Sequence, residues 1–294
     1  MNYFDFHTDT LSSAYERGLT PFADSLQASL RCFSRYERAA VNYALWCDKR
    51  LDDDGAYRRF IDYSDWFENQ IRGNLPENIS YFLSIEDARL FCRDEDRFFE
   101  ALRRGVRLLT LQWQGQTCIG GGWGTDVGLT PFGRRIVSLC FANHVAVDLS
   151  HASDRVFWEV AAMAEEANAP IYATHSDSRA VCPHPRNLTD EQFRAVERCG
   201  GLVGISLCPA HLCTASVCTA EDVFRHIDHY CSLGGSRHIC IGSDFDGIDE
   251  TPAGLHHPGD MTALCPMMQN HGYSKQNIDD IMWQNGFRHF RNIF

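Results

Sequence analysis

Residues 145–178 read VAVDLSHASDRVFWEVAAMAEEANAPIYATHSDS, and this stretch decides the fold. It opens on an apolar run, 145–150, passes through a helical pattern over 153–168, and returns to an apolar run at 170–174. Near-continuous apolar runs, rather than clean alternations, suit parallel strands covered on both faces. Each of the two strands hands over to loop at a histidine, His151 and His175.

The same strand–helix unit repeats along the chain. Further strand-like segments lie at 3–6, 39–46, 79–85, 106–112, 202–207 and 239–243, which makes eight in all. Helical patterns occupy 54–71, 87–104, 131–143, 189–199 and 219–233. Thr130-Pro131 marks a helix start, and Thr189 with Gln192 fits a capping box. Gly105, Gly200-Gly201 and Gly234-Gly235 follow helices where a left-handed cap is expected. Eight such units predict a (β/α)8 barrel of the TIM type, with residues 1–294 as a single domain. A doubly wound sheet accounts less simply for eight strands. A glycine-rich loop is expected at 118–128 and an irregular stretch at 251–272.

Composition narrows the class. The chain has 294 residues, 44% of them hydrophobic and 22% charged, as in an ordinary globular protein. A formal net charge of −12 argues against nucleic acid and anionic membranes as partners. No run of about 18 apolar residues offers a membrane span. The start, MNYFDFHTD, has no basic segment before an apolar one, and the end, RNIF, has no apolar tail, so neither a leader nor a lipid anchor is expected. Thirteen cysteines form no even framework and no CxxC pair, and Cys140, Cys208 and Cys240 sit in apolar runs as small hydrophobes. Free thiols and a cytoplasmic setting are expected.

Barrel enzymes carry their chemistry where strands give way to the following loops. The first strand ends FDFHTDT, and the i, i+2 spacing puts His7 and Asp9 on one face. The third ends at Glu86, the fifth at His151, the sixth at His175, and the eighth at Asp244 and Asp246. A lone histidine at a strand end is more often a satisfied core residue, and Glu86 alone is a favourable helix start. Three histidines and several carboxylates at one end of one barrel point instead to a metal site. Their number exceeds the three protein ligands of a single catalytic zinc, and a carboxylate bridges two ions, so two metals are expected. Asp246 is read as shaping the DFDG turn. His226 and His229 fall on a helix outside the mouth, while His256, His257 and His271 lie in the irregular stretch. Trp113 and Trp123 are assigned to the pocket wall.

These residues resemble the membrane (renal) dipeptidase family of zinc peptidases, in its soluble bacterial form. The likeness runs almost end to end and is densest in GVRLLTLQWQG, GLTPFGRRIV, VDLSHASDRVFWEV, THSDSRAVCPHPRNLTDEQ, HIDHY and IGSDFDGI. It implies a (β/α)8 barrel with two Zn2+ ions. It also implies His7 and Asp9 on one metal, Glu86 as the bridge, and His151 with His175 on the other. Arg186 is implied to hold the substrate's terminal carboxylate, and Asp244 to contact the bridging water and the peptide nitrogen. Two departures stand out: the family's Glu-Gly-Gly reads Glu86-Asp87-Ala88, and Trp113 stands where the renal enzyme has a histidine near the substrate carbonyl.

The expected reaction is hydrolysis of a dipeptide by a metal-bridging hydroxide, with Asp244 and Glu86 as catalytic residues and Arg186, Asp244 and Trp113 on the substrate. Such members are often homodimers. The rival readings are another metal-dependent amidohydrolase, of lactonase or deaminase type, and an inactive binding protein. No lysine ends a strand, which disfavours a carboxylated-lysine centre.

Overall fold

A computed structural model describes residues 1–92 and 94–293. Its strands are β1 (Asn2–Thr8), β2 (Arg38–Trp46), β3 (Ile79–Glu86), β4 (Val106–Thr110), β5 (Ala146–Asp148), β6 (Ile171–Ala173), β7 (Leu202–Ile205) and β8 (Ile239–Ile241). They pair in sequence order, all parallel, and β8 returns to β1 through Asp5 and Ile241 to close the barrel. The architecture is the (β/α)8 barrel that the strand–helix repeat predicts.

The covering helices are α1 (Thr10–Glu16), α2 (Asp53–Trp66), α3 (Glu95–Arg103), α4 (Pro131–Ala142), α5 (Asp154–Ala167), α6 (Asp190–Arg198), α7 (Pro209–Leu212) and α8 (Ala220–Ser232). After β8 come α9 (Leu264–Asn270), α10 (Lys275–Asp279) and α11 (Asn285–Phe290). Their starts have local causes. Thr130 accepts from the Gly133 amide, Ser153 from that of Val156, and Thr189 with Gln192 forms a reciprocal capping box.

The structure corrects several boundaries. The helix expected at 54–71 becomes α2 followed by a wider turn, Phe67–Ile71. The one expected at 87–104 is divided, because Asp87 (φ 83°) and Cys92 (φ 44°) are left-handed and a right-handed helix cannot pass through them. A tight turn, Ala88–Phe91, therefore precedes α3. Helices α1, α9, α10 and α11 have seven residues or fewer, too few for periodicity to reveal them. The later strands are shorter than their apolar runs. The residues past each ladder are those that turn into the site.

Strand β1 carries the irregularity that matters most. Its pairing with β2 passes from Asp5↔Val41 to Thr8↔Tyr43, three steps against two. A bulge of this kind re-aims side chains. Consecutive residues Phe6 and His7, which a regular strand would send to opposite faces, both reach the barrel interior: Phe6 meets Tyr172 and Phe290, and His7 meets His175.

Phe4, Phe6, Phe82, Leu108, Tyr172 and Leu202 form an interior layer below the mouth, completed by Trp283 and Phe290 from the C-terminal segment. Phe290 stacks on Phe82 with centroids 4.6 Å apart and lies 5.1 Å from Phe6. This aromatic plug closes one end of the barrel, so the opposite end alone is left for polar groups. Phe290→Ala is expected to destabilise the protein by about 3–5 kcal/mol, the usual range for truncating a buried phenylalanine, read as a lower urea midpoint at unchanged slope.

Candidate active site

The side chains singled out in the sequence converge at the mouth. His7 Nε2 lies 3.4 Å from Asp9 Oδ2 and 3.4 Å from Glu86 Oε2. The other Glu86 oxygen, Oε1, lies 3.1 Å from His151 Nε2 and 3.6 Å from His175 Nε2, and these two nitrogens are 2.9 Å apart. Two donor groups result, His7–Asp9–Glu86 and Glu86–His151–His175, with one carboxylate oxygen of Glu86 turned to each. Asp244 also meets His7 and His175 in a third group.

Backbone geometry explains the convergence. His151 (φ 66°), Asp244 (φ 64°) and Asp246 (φ 67°) adopt left-handed conformations, as does Asp87 directly after Glu86. Such strain collects where structure must aim a side chain. Position 87, where the resemblance implied a glycine, thus holds an aspartate in a glycine-like conformation. Burial raises the Asp87 carboxyl to about 7 against the pull of Arg89, whose Nε is 3.1 Å away. Gly247 permits the remaining approach, since a Cβ there would stand 2.3 Å from Asp9 Oδ2 and 2.7 Å from Asp244 Oδ1.

The site is buried and charged. His7 is fully buried and Glu86 is 4% exposed. Burial works against the Glu86 charge, yet His7 and His151 overcome it and hold the carboxyl well below its ordinary range. Burial likewise opposes protonation of His7, but Glu86 and Asp9 outweigh it and raise the imidazole. Asp9 is lifted to about 6 by burial and by Glu86, with His7 opposing. His151 is lowered to about 4 by burial and Arg186, and His175 is lowered by burial, His7 and Arg186, so both are neutral imidazoles. The buried atoms His7 Nε2 and Asp9 Oδ1 have no hydrogen-bond partner among the described residues. Buried polar atoms are ordinarily satisfied, so unpartnered nitrogen and oxygen donors around a shared carboxylate fit a metal cation.

A cavity of about 420 Å³ opens over this cluster, bounded by Asp9, Glu86, Trp113, His151, His211 and Asp244 among others. Trp113 packs edge-on against Trp46 at 5.2 Å and stands 6.3 Å from His151. The assignment of Trp123 to this wall is corrected: it is not among the lining residues, and its ring packs against His184 at 5.5 Å. Arg186 is buried beside His175, donating from Nη1 to Ser176 Oγ and from Nη2 to the His175 carbonyl. Its Nε has no partner, and no carboxylate lies within ion-pair distance of the guanidinium among the described residues.

Other candidates take structural roles. Asp246 accepts from the Gln27 and Ala28 amides and the Thr10 hydroxyl, tying the start of α1 and the loop before β2 to the turn after β8. His226 accepts from the Ser178 amide and donates to the Leu212 carbonyl. His229 meets Asp190, His256 meets Thr251, His257 meets Asp260, and His271 packs on Phe224, all outside the cavity. Sequence reading missed His211 and the buried pair Asp148 and Thr174 behind the histidines. The available signal was their place in the motifs, Asp148 three residues before His151 and Thr174 directly before His175.

A family model described as membrane dipeptidase, peptidase family M19, matches residues 63–293. An uncharacterized protein from the pqqA 5′ region of Klebsiella pneumoniae is 33% identical over 214 residues, 69% of this chain and 76% of that protein. An uncharacterized dipeptidase of Schizosaccharomyces pombe is 30% identical over 220 residues, 73% of this chain and 53% of the yeast protein, so the match spans about half the length of that relative. Among solved structures, a Rhodobacter sphaeroides metallopeptidase liganded with a phosphinate mimic of L-Ala-D-Ala superposes with a TM-score of 0.88 at 23% identity, covering 100% of this chain and 99% of the other. No described helix is long and apolar enough to cross a membrane.

Because Asp246 satisfies three donors from two segments, Asp246→Ala is expected to lose about 1–3 kcal/mol of stability while leaving metal uptake in place, checked by urea unfolding beside metal analysis.

Proposed function

This chain belongs to the membrane dipeptidase family, peptidase family M19, and from that premise we propose that it is a binuclear zinc dipeptidase. The observation that carries the reading is the shared carboxylate: Glu86 turns one oxygen to His7 and the other to His151 and His175. Nitrogen and oxygen donors of this kind suit zinc. His7 and Asp9 would hold one ion and His151 with His175 the other, with Glu86 common to both. When bound, such a pair supplies Lewis acidity toward the scissile carbonyl and an activated water for hydrolysis.

The protein's own groups do the rest. Arg186 is a buried cation with no carboxylate within ion-pair distance among the described residues, the condition for capturing the terminal carboxylate of a dipeptide. Burial, with Asp9 and Glu86 adding to it and His7 opposing, raises the Asp244 carboxyl well above its ordinary range. It is suited to take a proton from water and pass it to the leaving amine. Trp113 and Trp46 give the cavity an aromatic wall in place of the renal-type histidine. A dipeptide with a D-residue at its second position is the substrate class to try first, because the Rhodobacter metallopeptidase holds a mimic of that kind.

The decisive experiment is a panel of L,L- and L,D-dipeptides presented to protein stripped of metal and then reloaded with zinc. Two equivalents of zinc and restored hydrolysis are expected. A fully loaded protein that cleaves none of the panel would overturn the dipeptidase reading. Asp244→Asn is expected to lower kcat by about 10²–10⁴-fold with zinc content unchanged, and loss of the zinc in that variant would make Asp244 a ligand instead.

A further inference from the structure

Behind the histidines lies a hydroxyl that touches both donor groups. Thr174 Oγ1 is 2.7 Å from Asp148 Oδ2, 2.8 Å from His175 Nδ1 and 3.1 Å from His7 Nδ1. The two imidazole rings lie beside it, tilted by 40° with centroids 3.8 Å apart. All these groups are buried. We propose that Thr174 is a positioning residue that fixes the tautomer and ring orientation of one histidine in each metal group at once.

Counting donors and acceptors leads to this. Asp148 receives four hydrogen bonds: Oδ1 from the Ser150 and Thr174 amides, Oδ2 from the Thr110 and Thr174 hydroxyls. An ionised carboxylate only accepts, so the single Thr174 proton points to Asp148. Two lone pairs then remain on Thr174 Oγ1, and the atoms facing them are the Nδ1 atoms of His175 and His7. Both nitrogens must therefore carry hydrogen, which in the neutral ring leaves Nε2 as the lone pair free to ligate. Those Nε2 atoms are the ones turned toward Glu86. Ser150 Oγ, at 3.4 Å, is a more distant neighbour that already accepts from the His175 amide. His151 differs, since its Nδ1 has no partner among the described residues. Partners of this kind on the far nitrogen are what orient a ligating imidazole.

The proposal rests on the two-metal reading above, and its test separates the two. Wild type, Thr174→Ser and Thr174→Val are stripped of metal and titrated with zinc against a competing chromophoric chelator, with thermal unfolding run beside. In Thr174→Val, which keeps shape but not the hydroxyl, zinc affinity is expected to fall about 10- to 100-fold at both positions, and Thr174→Ser to recover most of it. Wild-type affinity in a folded Thr174→Val, or weakening at one position only, would overturn the shared role. Independently, ¹⁵N NMR of histidine-labelled, metal-free wild type is expected to report an Nδ1-bound proton on both His7 and His175. Its absence from either ring overturns the proposal even should the valine variant not fold. Wild type that takes up no zinc, yet shows both Nδ1 protons, would instead strike the metal reading and leave the hydrogen bonds intact.

Discussion

The site depends on one buried carboxylate. Glu86 is taken out of water at the end of β3, and it keeps its charge only because imidazoles crowd both of its oxygens. A charge in that position without compensation would cost several kcal/mol. The surrounding strand ends are therefore arranged around it: β1 brings His7, the residue after Asp148 in β5 leads to His151, and β6 leads to His175. His7 gains from Glu86 and Asp9 more than burial takes from it, whereas at His151 and His175 burial prevails.

Such an arrangement needs a rigid frame with a clear division of labour. The aromatic layer around Phe4, Phe82 and Phe290 fills one end of the barrel and excludes water from below. Above it, two deep carboxylates are hydrogen-bonded into the frame, Asp148 accepting four bonds and Asp5 accepting from Tyr3, Ser243 and His7. At the mouth, by contrast, His7 Nε2 and Asp9 Oδ1 are buried without hydrogen-bond partners among the described residues. Left-handed backbone at Asp87, His151 and Asp244 marks where the chain gives up comfortable geometry to aim those donors.

Much of this was legible in the chain because strand ends are one-dimensional facts. An apolar run that stops at HTD, at Glu86, at His151 or at His175 announces both the strand and the group it delivers. The helices with caps, such as the one begun by Thr189 and Gln192, were equally plain. The short helices α1 and α9–α11 were not, since a turn or two shows no period. The division of the helix expected at 87–104 was hidden because left-handed conformations at Asp87 and Cys92 leave no mark on hydrophobic spacing. Trp123 reads in sequence like a wall residue beside a glycine-rich loop, and only packing shows it against His184 instead.

By itself the sequence determined the barrel and which side chains end its strands at the mouth, because apolar runs and the residues that end them are written in chain order. Tertiary structure alone decided which donors share Glu86, that Phe6 and His7 face the same interior across a bulge, and that one threonine hydroxyl serves two histidines. Those relations are distances between groups up to 167 residues apart. They exist only when the eighth strand closes on the first, and no local pattern encodes them.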